Sequence, residues 1–353
     1  MLAGGRSARM GTPKAALEWH GSTLLRRTVG IMARATSGPV VVVRAPGQDL
    51  PELPEDTLVA DDRREGRGPV QGIAAGLAAL TGRADVAFVS STDLPFLHPA
   101  FIRRVLHVLD ESQGTDVALP IARGYKQPLA AAYRVSLAAA AERLVQEDRL
   151  RPAFLFDECR VETLDDAALK RDPVLAALDP DLDSLLNVNT PADYAAARAR
   201  PGPEVTVQLF GTLANGGHVG GPHVVRAATV GGAGDALAVV FDRHVTVTLN
   251  GDRITRDRAT PLAAGDTVFF ASGLAGRAVH WTLLRQGNGP PNTLRPSPNR
   301  IVDQKLRPAG SKYPRSRRRE RAVRFPPALA AAGGQGGWHD ADDTDASDTG
   351  RHA

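Results

Sequence analysis

Hydrophobic positions in the first part of the chain alternate between helical spacing and short unbroken runs. Leu24, Leu25, Val29 and Met32 recur at intervals of three and four, a spacing that predicts an amphipathic helix. The next apolar block, residues 40–43, consists of four consecutive valines. Such a run predicts a strand that is buried on both faces of a parallel sheet.

The same alternation continues further along the chain. Residues 73–80 carry a second helical stripe, residues 86–89 form a second buried run, and a third helical stripe follows Pro99. Strands that alternate with helices indicate an α/β fold with a doubly wound, mainly parallel sheet, which we place over residues 1–200. Ligands bind at the carboxyl ends of the strands in such sheets, so the loops after the strands are the candidate site.

The pattern changes to β beyond a connector at residues 198–203. Val205, Val207 and Leu209 alternate like a half-buried strand, and Asn250-Gly251 predicts a type I′ hairpin turn between two further strands. A second, small α+β domain is therefore expected over residues 204–277. Periodicity ends there, and the charged and glycine-rich residues 278–353 are predicted to be a disordered tail.

The start of the chain is rich in glycine and basic residues. This glycine-rich loop reads Leu2-Ala3-Gly4-Gly5-Arg6-Ser7-Ala8-Arg9-Met10-Gly11-Thr12-Pro13-Lys14. Glycines let backbone N–H groups approach an anion, and the three basic side chains can neutralise a polyphosphate. The spacing is neither a Walker motif nor Gly-x-Gly-x-x-Gly. The alternative is an ordinary glycine turn whose basic residues face water.

Composition narrows the class of protein only slightly. Hydrophobic residues make up 42% of the 353 residues and aromatic residues 5%. No apolar run approaches the roughly 18 residues that a membrane span needs, and no signal peptide is found, which favours a cytoplasmic protein without a membrane segment. The single cysteine, Cys159, excludes an intramolecular disulfide. Much of the basic excess behind the net charge of +4 lies in residues 312–324, which indicates a solvated tail rather than a nucleic-acid partner.

The glycine-rich loop resembles the Leu-Ala-Gly-Gly-x-Ser-x-Arg-Met-Gly-x-x-Lys signature of the molybdenum cofactor guanylyltransferase family and its cytidylyltransferase relatives. The resemblance implies transfer of GMP from GTP to the phosphate of molybdopterin, with release of pyrophosphate and with Mg²⁺ as the metal. It assigns catalytic roles to Arg9 and Lys14, and nucleotide binding to Leu2, Ala3, Gly4, Gly5, Arg6, Ser7, Gly11 and Lys14.

Asp93 is the candidate metal ligand. It leaves the buried run at residues 86–89 and is followed by Leu94-Pro95, which holds it in an extended turn. Magnesium prefers one or two carboxylates together with phosphate oxygens and waters, although an aspartate in a plain turn would have the same sequence. The family resemblance supports the metal assignment, because its members carry an aspartate in a Cys-Asp-x-Pro-like turn, with Thr92 here in place of the cysteine.

Three further motifs resemble parts of the family's site. Residues 68–73, Gly-Pro-Val-Gln-Gly-Ile, resemble a turn of the guanylyltransferases and favour GTP over CTP, which assigns Gly68 and the upstream Asp61 to the nucleotide. Gln127, in a Gln-Pro-Leu sequence, is placed on the pterin side. Asn187 and Asn189 belong to an Asn-x-Asn-Thr-Pro motif, and Asn189 is expected to complete magnesium or acceptor binding, although Thr190-Pro191 is also an ordinary helix start.

Residues 260–270 resemble the end of the ubiquitin-like sulfur carriers of the molybdopterin and thiamine pathways. The glycines of residues 231–234 have low helix propensity, which disfavours the helix that such a fold contains. Carriers act through a terminal Gly-Gly, whereas this chain has Gly276-Arg277, and this difference argues against a carrier function. The remaining expectation is that this half docks onto other cofactor-assembly proteins. We expect this half to be dispensable for catalysis.

Several alternatives stay open at this point. The nucleotide donor could be CTP, the acceptor could be a sugar phosphate, or the protein could be a carrier or scaffold that only binds nucleotide. The first strand is also short, because only Met1 and Leu2 precede Ala3-Gly4-Gly5 whereas strands typically have about five residues. We therefore expect either a natural chain that starts further upstream or a frayed first strand.

Overall fold

The computed structural model of the protein describes residues 1–4, 13–63, 66–215, 221–254 and 256–272. All of these belong to one compact unit that spans Met1–Thr293. Predictions for Gly5, Arg6, Ser7, Arg9 and Gly11, for Gly276-Arg277 and for the tail at residues 278–353 fall outside the described residues.

The N-terminal half, residues 1–200, alternates strands and helices as predicted. Its elements in chain order are a 3-10 turn at Lys14–Ala16, β1 (Glu18–Trp19), β2 (Ser22–Thr23), α1 (Leu24–Ala35), β3 (Val41–Arg44), β4 (Leu58–Asp61), α2 (Pro69–Leu80), β5 (Val86–Ser90), α3 (Pro99–Glu111), β6 (Val117–Ala122), β7 (Tyr125–Lys126), β8 (Ala130–Arg134), a 3-10 turn at Val135–Leu137, α4 (Ala138–Gln146), α5 (Pro152–Phe156), β9 (Val161–Leu164), α6 (Asp166–Lys170), α7 (Pro173–Leu178), a 3-10 turn at Asp183–Leu185 and α8 (Pro191–Ala199).

Helix starts follow from local capping chemistry. The Thr23 hydroxyl accepts from Arg26 N at the start of α1, and His98 precedes Pro99 at the start of α3. Thr190 and Asp193 form a capping box at the start of α8. Each cap satisfies an amide that has no partner within its helix, so the sequence fixes where these helices begin.

The N-terminal half contains a mainly parallel sheet. β3 pairs with β4 in parallel, and Leu2 bridges Val43 and Ser91, also in parallel. β5 then pairs with β8, β8 with β6 and β6 with β9, and within this path β8 runs against the others. The predicted first strand is reduced to residues at the chain start, where Leu2 N donates to Ser90 O (2.7 Å) and Val43 N donates to Met1 O (2.8 Å).

Helices cover both faces of this sheet. Phe88 packs with Phe101 of α3 and with α1 in one hydrophobic cluster, whereas its neighbour Val89 packs with Ile73 of α2 and with α4 in another. Alternate residues of a strand point to opposite faces, which explains why one strand contributes to both clusters. The doubly wound α/β architecture is thus confirmed for this half of the chain.

The second half, residues 204–272, forms its own five-stranded sheet. Its elements are β10 (Glu204–Phe210), a 3-10 turn at Gly211–Asn215, β11 (His223–Arg226), α9 (Val230–Asp235), β12 (Val245–Leu249), β13 (Asp252–Ile254) and β14 (Thr267–Ser272). The strand order is β11-β10-β14-β12-β13, with β10 and β14 parallel and the other pairs antiparallel. The predicted hairpin is confirmed, with positive φ at both Asn250 (52°) and Gly251 (93°).

A helix forms where the glycines were expected to oppose one. α9 spans residues 230–235 and includes three glycines, each of which costs up to about 1 kcal/mol against alanine. Close packing explains the exception, because a Cβ at Gly234 would lie 2.3 Å from the Phe241 ring and one at Gly231 would lie 3.0 Å from Arg258. Tertiary packing therefore outweighs local propensity here.

The second half packs on the N-terminal half through the segment between β13 and β14. Pro261 contacts α1 at Gly30, where an added Cβ would lie 2.6 Å from the proline ring. Ala263 is 3% exposed and belongs to the same hydrophobic cluster as Phe88 and Phe101, whereas β10, β12 and β14 form a cluster of their own. The predicted boundary at residues 200–204 thus separates two sheets with separate cores, and a loop of the second half reaches the first core. Among the helices described, none is long and apolar enough to cross a membrane.

Candidate active site

The described ends of the glycine-rich loop lie at the carboxyl ends of β3 and β5. Ala3 N and Gly4 N both donate to Val43 O, at 2.8 and 3.3 Å. A Cβ at Gly4 would lie 3.0 Å from Ala45 N, so glycine permits the close approach of the loop to the end of β3. The loop therefore leaves the sheet at the edge where ligands bind in α/β folds.

Lys14 returns from the loop to a distant part of the chain. Its Nζ donates to Val188 O at 2.8 Å and to Asn189 Oδ1 at 3.1 Å, across 175 residues of sequence in the second case. Two residues that were assigned to the site from separate motifs are thus in direct contact.

Asp93 joins the same group through the main chain. Val188 N donates to Asp93 O at 2.9 Å, so the buried Val188 is bonded to Asp93 on one side and to Lys14 on the other. The half-buried carboxylate of Asp93 accepts a hydrogen bond from Ser91 Oγ. The structure therefore gathers Lys14, Asp93 and the exposed Asn189 around one residue, and Val188 is a linking position that sequence reasoning did not identify.

Asp193 is a second residue of this site that the sequence analysis did not assign to it. Its Oδ2 accepts from Asn189 N at 3.0 Å and from Thr190 N at 2.9 Å. These backbone hydrogen bonds lower the pKa of Asp193, and the Lys14 charge acts in the same direction. The Thr-x-x-Asp spacing is a capping-box pattern, and it is the sequence signal that could have identified the role of Asp193. Asn187 is exposed, and its Nδ2 lies 3.5 Å from Leu185 O.

The two acids at the end of β4 have different partners. Asp61, the last residue of β4, is exposed and accepts from Arg44 Nε of β3 at 2.6 Å. Asp62 is half-buried and accepts from Gln71 Nε2, a side chain of α2 that is 3% exposed. Burial raises the pKa of Asp62, although the Gln71 hydrogen bond opposes this. The predicted residue Asp61 is thus not the one bonded to α2; its neighbour Asp62 is.

Gly68 has a structural requirement of its own. It lies at the N-cap of α2 with φ at 102°, and a Cβ there would lie 3.2 Å from Leu150 O. Both facts favour glycine. The residue therefore sets the entry into α2.

Gln127 lies at the same edge of the sheet as Asp93. Its Nε2 donates to Tyr125 O at 3.2 Å and its N donates to Pro120 O at 2.9 Å, which orders the turn before β8. Ala130, at the start of β8, pairs with Ser90 at the end of β5. The antiparallel register thus brings this turn to the end of the strand that leads into Asp93.

The residues present fit a magnesium ion that is carried largely by substrate. No group of three or more His, Cys, Asp or Glu side chains able to hold a metal occurs among the residues described. Asp93 offers one carboxylate and Asn189 one amide oxygen close by, and Mg²⁺ commonly takes one or two carboxylates plus phosphate oxygens and waters. A separate cleft of about 170 Å³, lined by Trp19, His98 and Arg200 among others, includes none of the predicted site residues.

Gly4, Lys14 and Asp93 lie around the ends of β3 and β5 in a doubly wound sheet, and this combination of fold and site is that of a nucleotidyltransferase. A family model described as the MobA-like NTP transferase domain matches residues 1–161. A probable molybdenum cofactor guanylyltransferase of Mycobacterium avium is 36% identical over 204 residues, which cover 57% of this chain and 94% of that protein. The molybdenum cofactor guanylyltransferase of Desulfosudis oleivorans is 30% identical over 200 residues, covering 56% and 93%.

The chain belongs to the molybdenum cofactor guanylyltransferase family of MobA-like NTP transferases, which confirms the resemblance of its loop. A crystal structure of molybdopterin-guanine dinucleotide biosynthesis protein A from Archaeoglobus fulgidus is also similar, with a TM-score of 0.44, 22% identity, and coverage of 56% of this chain and 94% of that one.

Proposed function

We propose that the protein transfers GMP from GTP to the phosphate of molybdopterin and releases pyrophosphate. The observation that carries the proposal is the contact of Lys14, Asp93 and Asn189 through Val188, at the edge where the glycine-rich loop leaves the sheet. Family membership supports it, since the curated relatives above carry the guanylyltransferase name. The Gly-Pro-Val-Gln-Gly-Ile turn favours guanine as the base.

The glycine-rich loop holds the triphosphate in this proposal. Its backbone amides bind phosphate oxygens, and Arg6, Arg9 and Lys14 neutralise their charge. Lys14 is already held by Val188 O and Asn189 Oδ1, so its ammonium is oriented before substrate binds. Fixed charge of this kind stabilises the charge that develops during phosphoryl transfer.

Asp93, with Asn189 beside it, would hold Mg²⁺. A bound ion would supply positive charge that neutralises phosphate oxygens. Asp193 accepts from Asn189 N and from Thr190 N, which holds the Asn189 backbone at the start of α8. Asp61, Asp62 and Gly68 lie on the nucleoside side, and Gln127 with Asn187 on the acceptor side.

No side-chain nucleophile is needed for the reaction. A phosphate oxygen of molybdopterin forms the new bond to the α-phosphorus of GTP, while the bond from that phosphorus to pyrophosphate breaks. A phosphate monoester is already ionised near neutral pH, so no base has to remove a proton. The protein's contribution is alignment and charge neutralisation.

We also propose that the second half is a ubiquitin-like domain that acts in docking. Its strand order β11-β10-β14-β12-β13, with a parallel central pair and α9 packed on the sheet, supports this assignment. The Gly276-Arg277 sequence argues against a carrier reaction. Other cofactor-assembly proteins are the proposed partners of this half.

Pyrophosphate release tests the enzymatic proposal directly. The full chain is incubated with Mg²⁺, molybdopterin and each nucleoside triphosphate in turn, with the Asp93→Asn variant as the control. We expect release with GTP and wild-type protein, and none with the variant. Equal or faster release with CTP, or turnover with a sugar phosphate in place of molybdopterin, would refute the guanylyltransferase assignment.

A further inference from the structure

One face of α1 is covered by the second half of the chain. Arg26 Nη2 donates to Asp257 Oδ2 at 2.8 Å, and Arg34 Nη2 donates to Asp266 Oδ1 at 2.6 Å. Gly30 lies between these two arginines and contacts Pro261. The residues of α1 that an amphipathic pattern assigns to solvent thus form the interface with the loop that precedes β14.

Arg27, on the same helix, is bonded differently from its neighbours. It is 6% exposed, and no carboxylate lies within ion-pair distance of it among the residues described. Its guanidinium donates instead to three main-chain carbonyls: Pro95 O at 2.7 Å, Leu262 O at 3.1 Å and Ala228 O at 3.4 Å. Burial lowers the pKa of Arg27 to about 10, which leaves it charged at neutral pH.

The three carbonyls belong to both halves of the protein. Leu262 and Ala228 come from the second half, whereas Pro95 is two residues beyond Asp93 in the turn that carries the proposed metal ligand. A buried charge without a carboxylate partner is costly, and three well-placed acceptors offset that cost only while both halves stay in place.

A second side chain supports the same connection. His98 Nδ1 accepts from Ala100 N at 3.1 Å, so the other ring nitrogen, 3.1 Å from Ala264 O, carries the proton and donates to that carbonyl. Ser184 Oγ accepts from His98 N at 3.0 Å. The loop at residues 93–98 is therefore held at its start by Val188, in its middle by Arg27 and at its end by His98.

We propose that the second half is a positioning element of the transferase site, which acts through Arg27 to fix the Asp93-Leu94-Pro95 turn. The proposal rests on the proposed function, in which Asp93 binds Mg²⁺. It replaces the expectation that this half is dispensable for catalysis. Arg27 is a positioning residue, since it contacts the turn and not the reacting atoms.

Metal affinity separates positioning from plain stability. We compare full-length Arg27→Met with Arg34→Met, which removes an ion pair and a Pro261 O contact of the same interface without touching the turn. Mn²⁺ binding in the presence of GTP is measured by electron paramagnetic resonance, well below the melting temperature of each variant. The half-saturating Mg²⁺ concentration and the KM for GTP are measured in parallel.

We expect Arg27→Met to weaken Mn²⁺ affinity and raise the half-saturating Mg²⁺ concentration at least tenfold, with the KM for GTP changed less than threefold. Arg34→Met should lower the melting temperature and leave metal affinity within twofold. Arg27→Lys keeps the charge and the donors, so it should recover part of the lost affinity, and it serves as the test if Arg27→Met does not fold.

Wild-type metal affinity in the Arg27 variants, or an equal loss in Arg34→Met, would overturn the positioning role. These outcomes differ from failure of the proposed function. If Asp93→Asn retained metal binding and turnover, the assignment of Asp93 would fail whatever Arg27 does. If Asp93→Asn lost both while Arg27→Met kept both, only the inference about Arg27 would fail.

Discussion

Lys14→Ala is the substitution that best separates a catalytic contribution from a structural one at this site. The wild-type ammonium makes a partly buried hydrogen bond to Val188 O and an exposed one to Asn189 Oδ1. A hydrogen bond to a charged group contributes about 1.5–3 kcal/mol when well protected, and solvent reduces this here, so we expect a stability loss of about 1.5 kcal/mol. For a structured unit of this size, that corresponds to a fall of about 3–6 °C in Tm.

The expected effect on turnover is larger than the effect on stability. Removal of one fixed group that stabilises transition-state charge costs about 3–4 kcal/mol, or roughly 10²–10³ in kcat. Lys14→Gln is the matched control, because its amide retains a donor for Val188 O but carries no charge. We expect Lys14→Gln to regain most of the Tm while its kcat stays close to that of Lys14→Ala.

The assay combines pyrophosphate release at saturating GTP with thermal unfolding of the same samples. A fall in kcat of less than about tenfold in Lys14→Ala, or full recovery of kcat in Lys14→Gln, would show that Lys14 only holds the loop at residues 187–190. A double-mutant cycle with Asn189→Ala adds a second check, since residues in contact should give non-additive losses in kcat.

Three further predictions follow from other contacts. Asp93→Asn should abolish transfer while Tm changes little, since the carboxylate is only half-buried; turnover near the wild-type rate would contradict the metal assignment. Gly30→Leu should lower the free energy of unfolding by about 1–3 kcal/mol, because its side chain meets Pro261, and denaturant titration with unchanged stability would refute the close packing. Folding lowers the pKa of Asp193, so the stabilisation by its carboxylate is present above the ordinary pKa of 3.8 and is lost as pH falls through the lowered value. Asp193→Asn should therefore show a shallower fall in Tm between neutral and acidic pH than wild type. Identical profiles would refute the hydrogen bonding to Asn189 and Thr190.

Much of the N-terminal half was predictable because its signals are local. The spacing of Leu24, Leu25, Val29 and Met32 predicted α1, and the valine run at residues 40–43 predicted the buried strand that the structure places at Val41–Arg44. Thr190 acts within one turn of α8, so its capping role follows from sequence alone. The family resemblance assigned Asp93 and Lys14 to one site, and in the structure both are hydrogen-bonded to Val188.

Other features depend on which surfaces meet, and no local signal encodes that. The contact between Lys14 and Asn189 spans 175 residues of sequence. Val188 links the site through its backbone atoms, and the identity of its side chain gives no indication of such a role. The helix at residues 230–235 forms because Phe241 and Arg258 pack against its glycines, against their local propensity.

The sequence by itself determined the alternation of the main strands and helices and the starts of the main helices, because period and capping act over a few residues. The chemistry expected at the strand ends came from the family resemblance. Only the tertiary structure decided that Arg27 is buried, since a polar residue on an amphipathic helix faces water unless another surface covers it. Two loops of the second half form that surface, and their carbonyls at Ala228 and Leu262 complete the bonding of Arg27 beside the Asp93 turn. Shape complementarity between two distant segments set this arrangement, which is why the chain's pattern alone could not predict it.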